Sequence, residues 1–146
     1  MALTKIVEVR NLSSVKAGMV AFYTPQASDE TMLVQVAPHS IDNMFVHRHQ
    51  TDQLLVVRGS MVLVVLLDRQ YQYIPLTDRA PQVVTIPPMV PHAAINLSSE
   101  PCMIINAVQY HGTPNARDYQ PTHPPFAYDL EQVHRLMSMG DLAQAS

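Results

Sequence analysis

Three histidines and one glutamine carry the chemistry this sequence offers most plainly. In the segment Phe45-Val46-His47-Arg48-His49, alternate residues of a strand share a face, so Phe45, His47 and His49 would project together with Val46 and Arg48 opposite. Two imidazoles spaced this way can reach one ion. Gln53 follows four residues later, at the start of an apolar run. His92 follows the turn Pro87-Pro88-Met89-Val90-Pro91, and Asn96 shares its face in a regular strand. Neutral imidazoles are ordinary ligands for a divalent transition metal. A lone histidine is more often structural or exposed, and His39, His123 and His134, which lack partner spacing, are read so. The H-x-H pair with a downstream Pro-His in a β-rich chain points instead to metal binding or catalysis.

Short strands are expected to position these side chains. Prolines punctuate the chain, and between them lie β-branched and aliphatic runs: Thr4–Val9, Met19–Thr24, Met32–Val36, Met44–His49, Leu54–Val57, Met61–Leu67, Gln70–Ile74, Val83–Ile86, His92–Leu97 and Met103–Tyr110. Many short strands with frequent turns predict a sandwich or barrel. Gly59-Ser60 between two such runs predicts a tight hairpin. Leu130, Val133, His134 and Met137 fall at helical spacing, with Asp129 as N-cap and Gly140 as stop. The Pro-rich, polar stretch from Thr113 to Pro125 reads as an extended arm.

Composition narrows the function. The chain has 146 residues, with 47% hydrophobic and 14% charged, enough for one domain with its own core. Net charge is −3 and no Lys/Arg run exists, which argues against a nucleic-acid partner. One cysteine, Cys102, forbids an intrachain disulfide and suits a reducing, cytoplasmic setting. The start Met1-Ala2-Leu3-Thr4-Lys5 does not read as a signal peptide. The longest apolar run, Met61 to Leu67, is too short to span a bilayer.

The two histidine clusters resemble the two cupin motifs, G-x5-H-x-H-x3,4-E-x6-G and G-x5-P-x-G-x2-H-x3-N. His47, His49 and Gly59 match the first, and Pro87, His92 and Asn96 match the second. Ile41 stands at the first motif's leading glycine, and Gly59 comes one residue early. Pro81 and Met89 occupy the second motif's glycine positions, and Gln53 replaces the glutamate ligand. The resemblance implies an all-β, double-stranded β-helix (jelly-roll) barrel over residues 1–112. An arm and C-terminal helix would follow over 113–146. It further implies one divalent ion, Zn, Ni, Mn or Fe, on His47, His49 and His92, with Gln53 as fourth ligand. A glutamine offers only a neutral carbonyl oxygen, so the ion would keep its full charge and favour an anionic ligand. Alternatively, Gln53 is no ligand and hydrogen-bonds across the barrel.

A second resemblance is carried by the run from Gln53 to Arg69 and by Ile86-Pro87-Pro88-Met89-Val90-Pro91-His92. Both are similar to the deoxythymidine-diphosphate-sugar epimerases and ketoisomerases, cupins that generally work without metal. That likeness implies His47 or His49 as proton shuttle, a tyrosine as acid, and Arg58 and Arg69 toward the diphosphate. Tyr110, ending the last expected strand with His111 where a barrel mouth would lie, joins His47 and His49 in the catalytic set. The leading expectation is a metal-binding enzyme on a small anionic or carbonyl-bearing substrate, of isomerase, lyase or dioxygenase type. The alternatives are a metal-free sugar-nucleotide epimerase or isomerase, and a non-catalytic small-molecule binder. Expected partners are a small-molecule substrate and a second copy in a homodimer, with neither nucleic acid nor membrane.

Overall fold

The computed structural model describes residues 6–23 and 26–145. The reading of Met1 to Lys5, and the Thr4, Lys5 and Thr24 ends of two expected strands, lie outside them. In chain order the strands are β1 (Glu8–Asn11), β2 (Ser14–Ala17), β3 (Val20–Tyr23), β4 (Glu30–Val36), β5 (Ser40–Ile41), β6 (Gln50–Arg58), β7 (Ser60–Leu67), β8 (Gln70–Thr77), β9 (Gln82–Ile86), β10 (His92–Asn96) and β11 (Cys102–Tyr110). A 3-10 turn, Ala116–Tyr119, and helix α1, Leu130–Ala145, complete the chain. A five-stranded sheet, β1-β9-β6-β11-β4, faces a four-stranded sheet, β5-β10-β7-β8, and β2 and β3 form a separate hairpin. Every ladder in the two larger sheets is antiparallel. This is the two-sheet barrel expected for a cupin-like chain. Among the described residues no helix is long and apolar enough to cross a membrane.

Two apolar layers explain the sequence pattern. Between the sheets, Leu54, Val56 and Ile104 of one pack against Met61, Leu63 and Val65 of the other. Behind the four-stranded sheet, Val62, Val64, Ala93 and Ile95 pack with Met44 and with Val133 of α1. Strand β7 is therefore covered on both faces, which is why its sequence is a continuous apolar run and not an alternation. Each fully buried aliphatic side chain in it contributes about 1.5–3 kcal/mol. Helix α1 begins where Asp129 caps it, its Oδ1 accepting from the Gln132 N–H at 3.1 Å.

Three local expectations differ from the structure. Gly59-Ser60 does not close a hairpin, because β6 and β7 belong to different sheets; the chain turns a corner between layers there. Gly59 has φ +88°, and a Cβ on it would lie 2.8 Å from the Pro101 carbonyl oxygen, so glycine fits this corner and a larger residue does not. The hairpin on this stretch is β7–β8, closed by Asp68 and Arg69 at φ 50° and 64° in the primed-turn conformation that matches strand twist. Gly140 does not stop α1, which runs on to Ala145; a helical glycine costs about 1 kcal/mol relative to alanine, too little to end a helix whose neighbours favour it. The third difference, at Met44 to His49, bears on the site.

Candidate functional site

Met44 to His49 is not a strand. Met44 and Phe45 make isolated bridges to Thr122 and His92, and the chain then leaves extended pairing before β6 begins at Gln50. The alternation that would have put His47 and His49 on one face therefore does not apply. The Phe45 and His92 backbones exchange hydrogen bonds at 2.8 and 3.0 Å, which brings the two histidine-bearing segments side by side. A further clamp comes from Met89, whose N–H donates to the His47 carbonyl at 2.7 Å. Met89 sits at φ 70°, a left-handed conformation that glycine adopts freely and that costs another residue about 1–2 kcal/mol. That backbone requirement accounts for the glycine at this position in the motif the chain resembles.

His47, Asp52 and His92 converge. Asp52 Oδ2 lies 3.4 Å from His47 Nε2 and 3.3 Å from His92 Nε2. The ring centroids are 5.1 Å apart, tilted by 54°. All three residues are buried and line a cavity of about 350 Å³ between the sheets. Its remaining wall is largely apolar, from side chains such as Val34, Leu54, Met61, Leu63 and Ile104. The parity of β6 places Asp52: Gln50, Asp52 and Leu54 face the cavity. His92 Nδ1 lies 3.0 Å from the Val90 carbonyl oxygen, which can only accept, so this nitrogen carries a proton. Its Nε2 then faces a carboxylate oxygen, a pairing that is favourable only with a proton or a cation between them. His47 Nδ1 is buried and has no hydrogen-bond partner.

Asp52 is the electrostatic centre. Burial alone would raise its pKa and is the largest single influence, but hydrogen bonds and charge from His47 and His92 together outweigh it. They hold the carboxyl well below the usual carboxylate range. The folded pKa thus lies under the unfolded value of about 3.9, so the unfolded chain takes up the proton more readily in acid. The stability this group supplies is complete above about pH 4 and is lost as the pH falls further. Acid unfolding followed between about pH 5 and pH 2 is expected to be steeper in the native chain than in Asp52→Asn.

The structure gathers some of the sequence-derived residues and disperses others. His47 and His92 meet. His49 is exposed, and its ring lies against Gly112. Gln53 has the opposite parity to Asp52, and its amide donates to the Ala27 and Ala107 carbonyls at 2.9 and 2.8 Å, away from the histidines. Tyr110 donates to Glu30 at 2.6 Å; that bond, followed by burial, pushes its hydroxyl above the usual phenol range, and the residue does not line the cavity. Arg58 and Arg69 are exposed and also lie off the cavity. Asn96 is a turn brace, donating to the Glu100 carbonyl at 2.8 Å and accepting from Ser98 N and Oγ at 3.0 and 2.7 Å. Cys102 is no nucleophile, since burial, with help from Asp78, pushes its thiol up to about 11. Among the cavity residues that the sequence does not single out are Asp52, Gln50 and Tyr119.

No protein-family model matches the chain, and no curated protein does. Solved structures do. A dTDP sugar isomerase from Desulfovibrio desulfuricans G20 superposes with a TM-score of 0.66 at 14% identity, covering 85% of this chain and 91% of that one. A mutant 3,4-ketoisomerase from Thermoanaerobacterium thermosaccharolyticum, in complex with TDP-4-keto-6-deoxyglucose, gives 0.62 at 12% identity over 77% and 84%. A dTDP-4-dehydrorhamnose 3,5-epimerase from Sulfolobus tokodaii gives 0.59 at 11% identity over 73% and 72%. At such identities the likeness speaks for the fold alone: this chain has the cupin fold that those sugar isomerases and epimerases share.

Proposed function

We propose that the chain is an isomerase or epimerase of a carbonyl-bearing sugar, working by proton transfer on the His47–Asp52–His92 cluster. The observation that supports this most is the state of His47. Its Nε2 faces Asp52, and its Nδ1 is buried without a partner on a ring that lines the cavity. With the Nε2 proton donated to the carboxylate, Nδ1 is left with a lone pair that no protein group uses, as a general base requires. A C–H next to a carbonyl is acidic enough for such a base, and the resulting enediolate can be reprotonated on the other face or at the neighbouring carbon. His92, with Nδ1–H on Val90 and Nε2–H on Asp52, would balance the carboxylate's charge, and His47 would return its proton to the enediolate. The fold neighbours, described as sugar isomerases and epimerases, favour the same reading. A homodimer belongs to it as well: Leu33 and Val57, on the outer face of the five-stranded sheet, are 65% and 47% exposed.

The test is proton exchange. Incubated in D2O with TDP-4-keto-6-deoxyglucose and with free keto sugars, the protein is expected to place deuterium beside the carbonyl, followed by NMR and unchanged by a chelator. Folded protein that exchanges no carbon-bound proton on any of these compounds overturns the reading.

A second reading has its own support. One ligand atom each from His47, Asp52 and His92 can lie within 4.8 Å of one another, and the Nδ1–H of His92 is held by a backbone carbonyl, as is usual for a metal-ligating histidine. Asp52 would then supply the carboxylate that Gln53 does not. The three residues fit a divalent ion, which would act as a Lewis acid on a substrate oxygen. Elemental analysis of protein purified without added metal separates the readings, with about one ion per chain favouring this one.

A further inference from the structure

Asp52 has two oxygens, and only Oδ2 faces the imidazoles. Oδ1 accepts from Gln50 Nε2 at 2.6 Å. The other end of the same amide, Gln50 Oε1, accepts from the Tyr119 hydroxyl at 2.8 Å. An amide has one donating and one accepting end. The carboxylate of Asp52 can only accept, so the NH2 end must face it, and the Tyr119 hydroxyl, donating to Oε1, anchors the amide in that place. The reversed amide would set an oxygen against a carboxylate oxygen. Gln50 is buried, so neither end of its amide has water as a ready substitute.

Tyr119 does not belong to the barrel. It ends the 3-10 turn of the arm, which is closed by a capping box: Asn115 Oδ1 accepts from the Arg117 N–H at 2.9 Å, and Asp118 Oδ2 accepts from the Asn115 N–H at 3.2 Å. Just beyond it, Thr122 and Met44 exchange backbone bonds at 2.8 and 2.9 Å. Between these two fixings, the Tyr119 ring is held 5.4 Å from that of His47.

We propose that Gln50 and Tyr119 are positioning residues that lock the rotation of the Asp52 carboxylate, so that one oxygen serves both imidazoles and the arm becomes part of the active site. The inference rests on the reading of Asp52 as the group that orients His47 and His92. It goes beyond that reading by assigning the orientation to a hydroxyl from outside the barrel.

The experiment uses the full chain and two single variants, Tyr119→Phe, which removes one hydroxyl, and Gln50→Met, which keeps length and removes the amide. Histidine-ring 15N NMR at one fixed pH needs no substrate. Both variants are expected to move the Nε2 signals of His47 and His92 in the same sense. On a keto-sugar substrate each should lower kcat about tenfold with KM nearly unchanged. The double variant should be no worse than Gln50→Met alone, because the two residues act in series. Imidazole signals that stay in place in a folded Tyr119→Phe protein overturn the proposal, as do losses that multiply in the double variant. Signals that move in a protein with no turnover on any substrate support the brace and remove only the isomerase reading.

Discussion

Asp52→Asn is expected to lower turnover on a keto sugar by about 10²–10⁴-fold, the range for loss of a positioned general base, while the protein stays folded. The substitution is nearly isosteric, so the effect comes from polarity. Gln50 Nε2 already donates toward Oδ1, so the new amide must turn its oxygen that way. Its NH2 group then occupies the place of Oδ2, facing Nε2 of both histidines. A donor there forces His47 to present a lone pair at Nε2 and to carry its proton on Nδ1. The base is thereby moved to the wrong nitrogen. Deuterium incorporation beside the substrate carbonyl measures the loss, and thermal melting checks the fold. Turnover within about threefold of the native chain would show that Asp52 does not set the tautomer of His47.

Ile95→Ala tests the other half of the architecture. Ile95 is fully buried in β10, paired with Val62 and Ile41, and belongs to the layer under α1. Removing three methyl-sized groups from such a site costs about 2–5 kcal/mol. In a chain of this size that corresponds to a Tm lower by about 5–15 °C. His92 and Ala94 face the cavity and Ile95 faces away, so activity per folded molecule should change little. Calorimetry against specific activity separates the two effects. A variant with native Tm but lost activity would contradict the assignment of this layer to structure alone.

Much of the barrel and part of the candidate site were legible in the residues. The motif spacing located His47 and His92 because both depend on local backbone geometry, the bridge at Phe45 and the left-handed residue at Met89. Asp52 was hidden by its neighbours. In Leu54-Leu55-Val56-Val57 both parities are apolar, because both faces of β6 are partly covered, so sequence alone did not show whether Asp52 or Gln53 looked inward. The structure resolves this through register: Asp52 shares the side of Leu54 and Val56, and Gln53 that of Leu55. His49 was misplaced for a different reason. Its segment has strand-like residues but lacks a strand neighbour beyond Phe45. Tyr119 left no periodic signal at all, since it lies in a Pro-rich stretch and its own partners, Gln50 and His47, are distant in sequence. The one cue available was the Asn115-x-x-Asp118 spacing, which marks a capped turn.

The stretch joining β11 to α1 hangs on the barrel at Thr122 and reaches inward with Tyr119. Whatever loosens that hanging, whether warmth, a protease or a bulky guest wedged beneath it, is felt among the imidazoles while every barrel strand is still paired. On the proposed reading, loss of the imidazole geometry and collapse of the scaffold are therefore separate events, since the contacts that hold the arm are not those that hold the sheets.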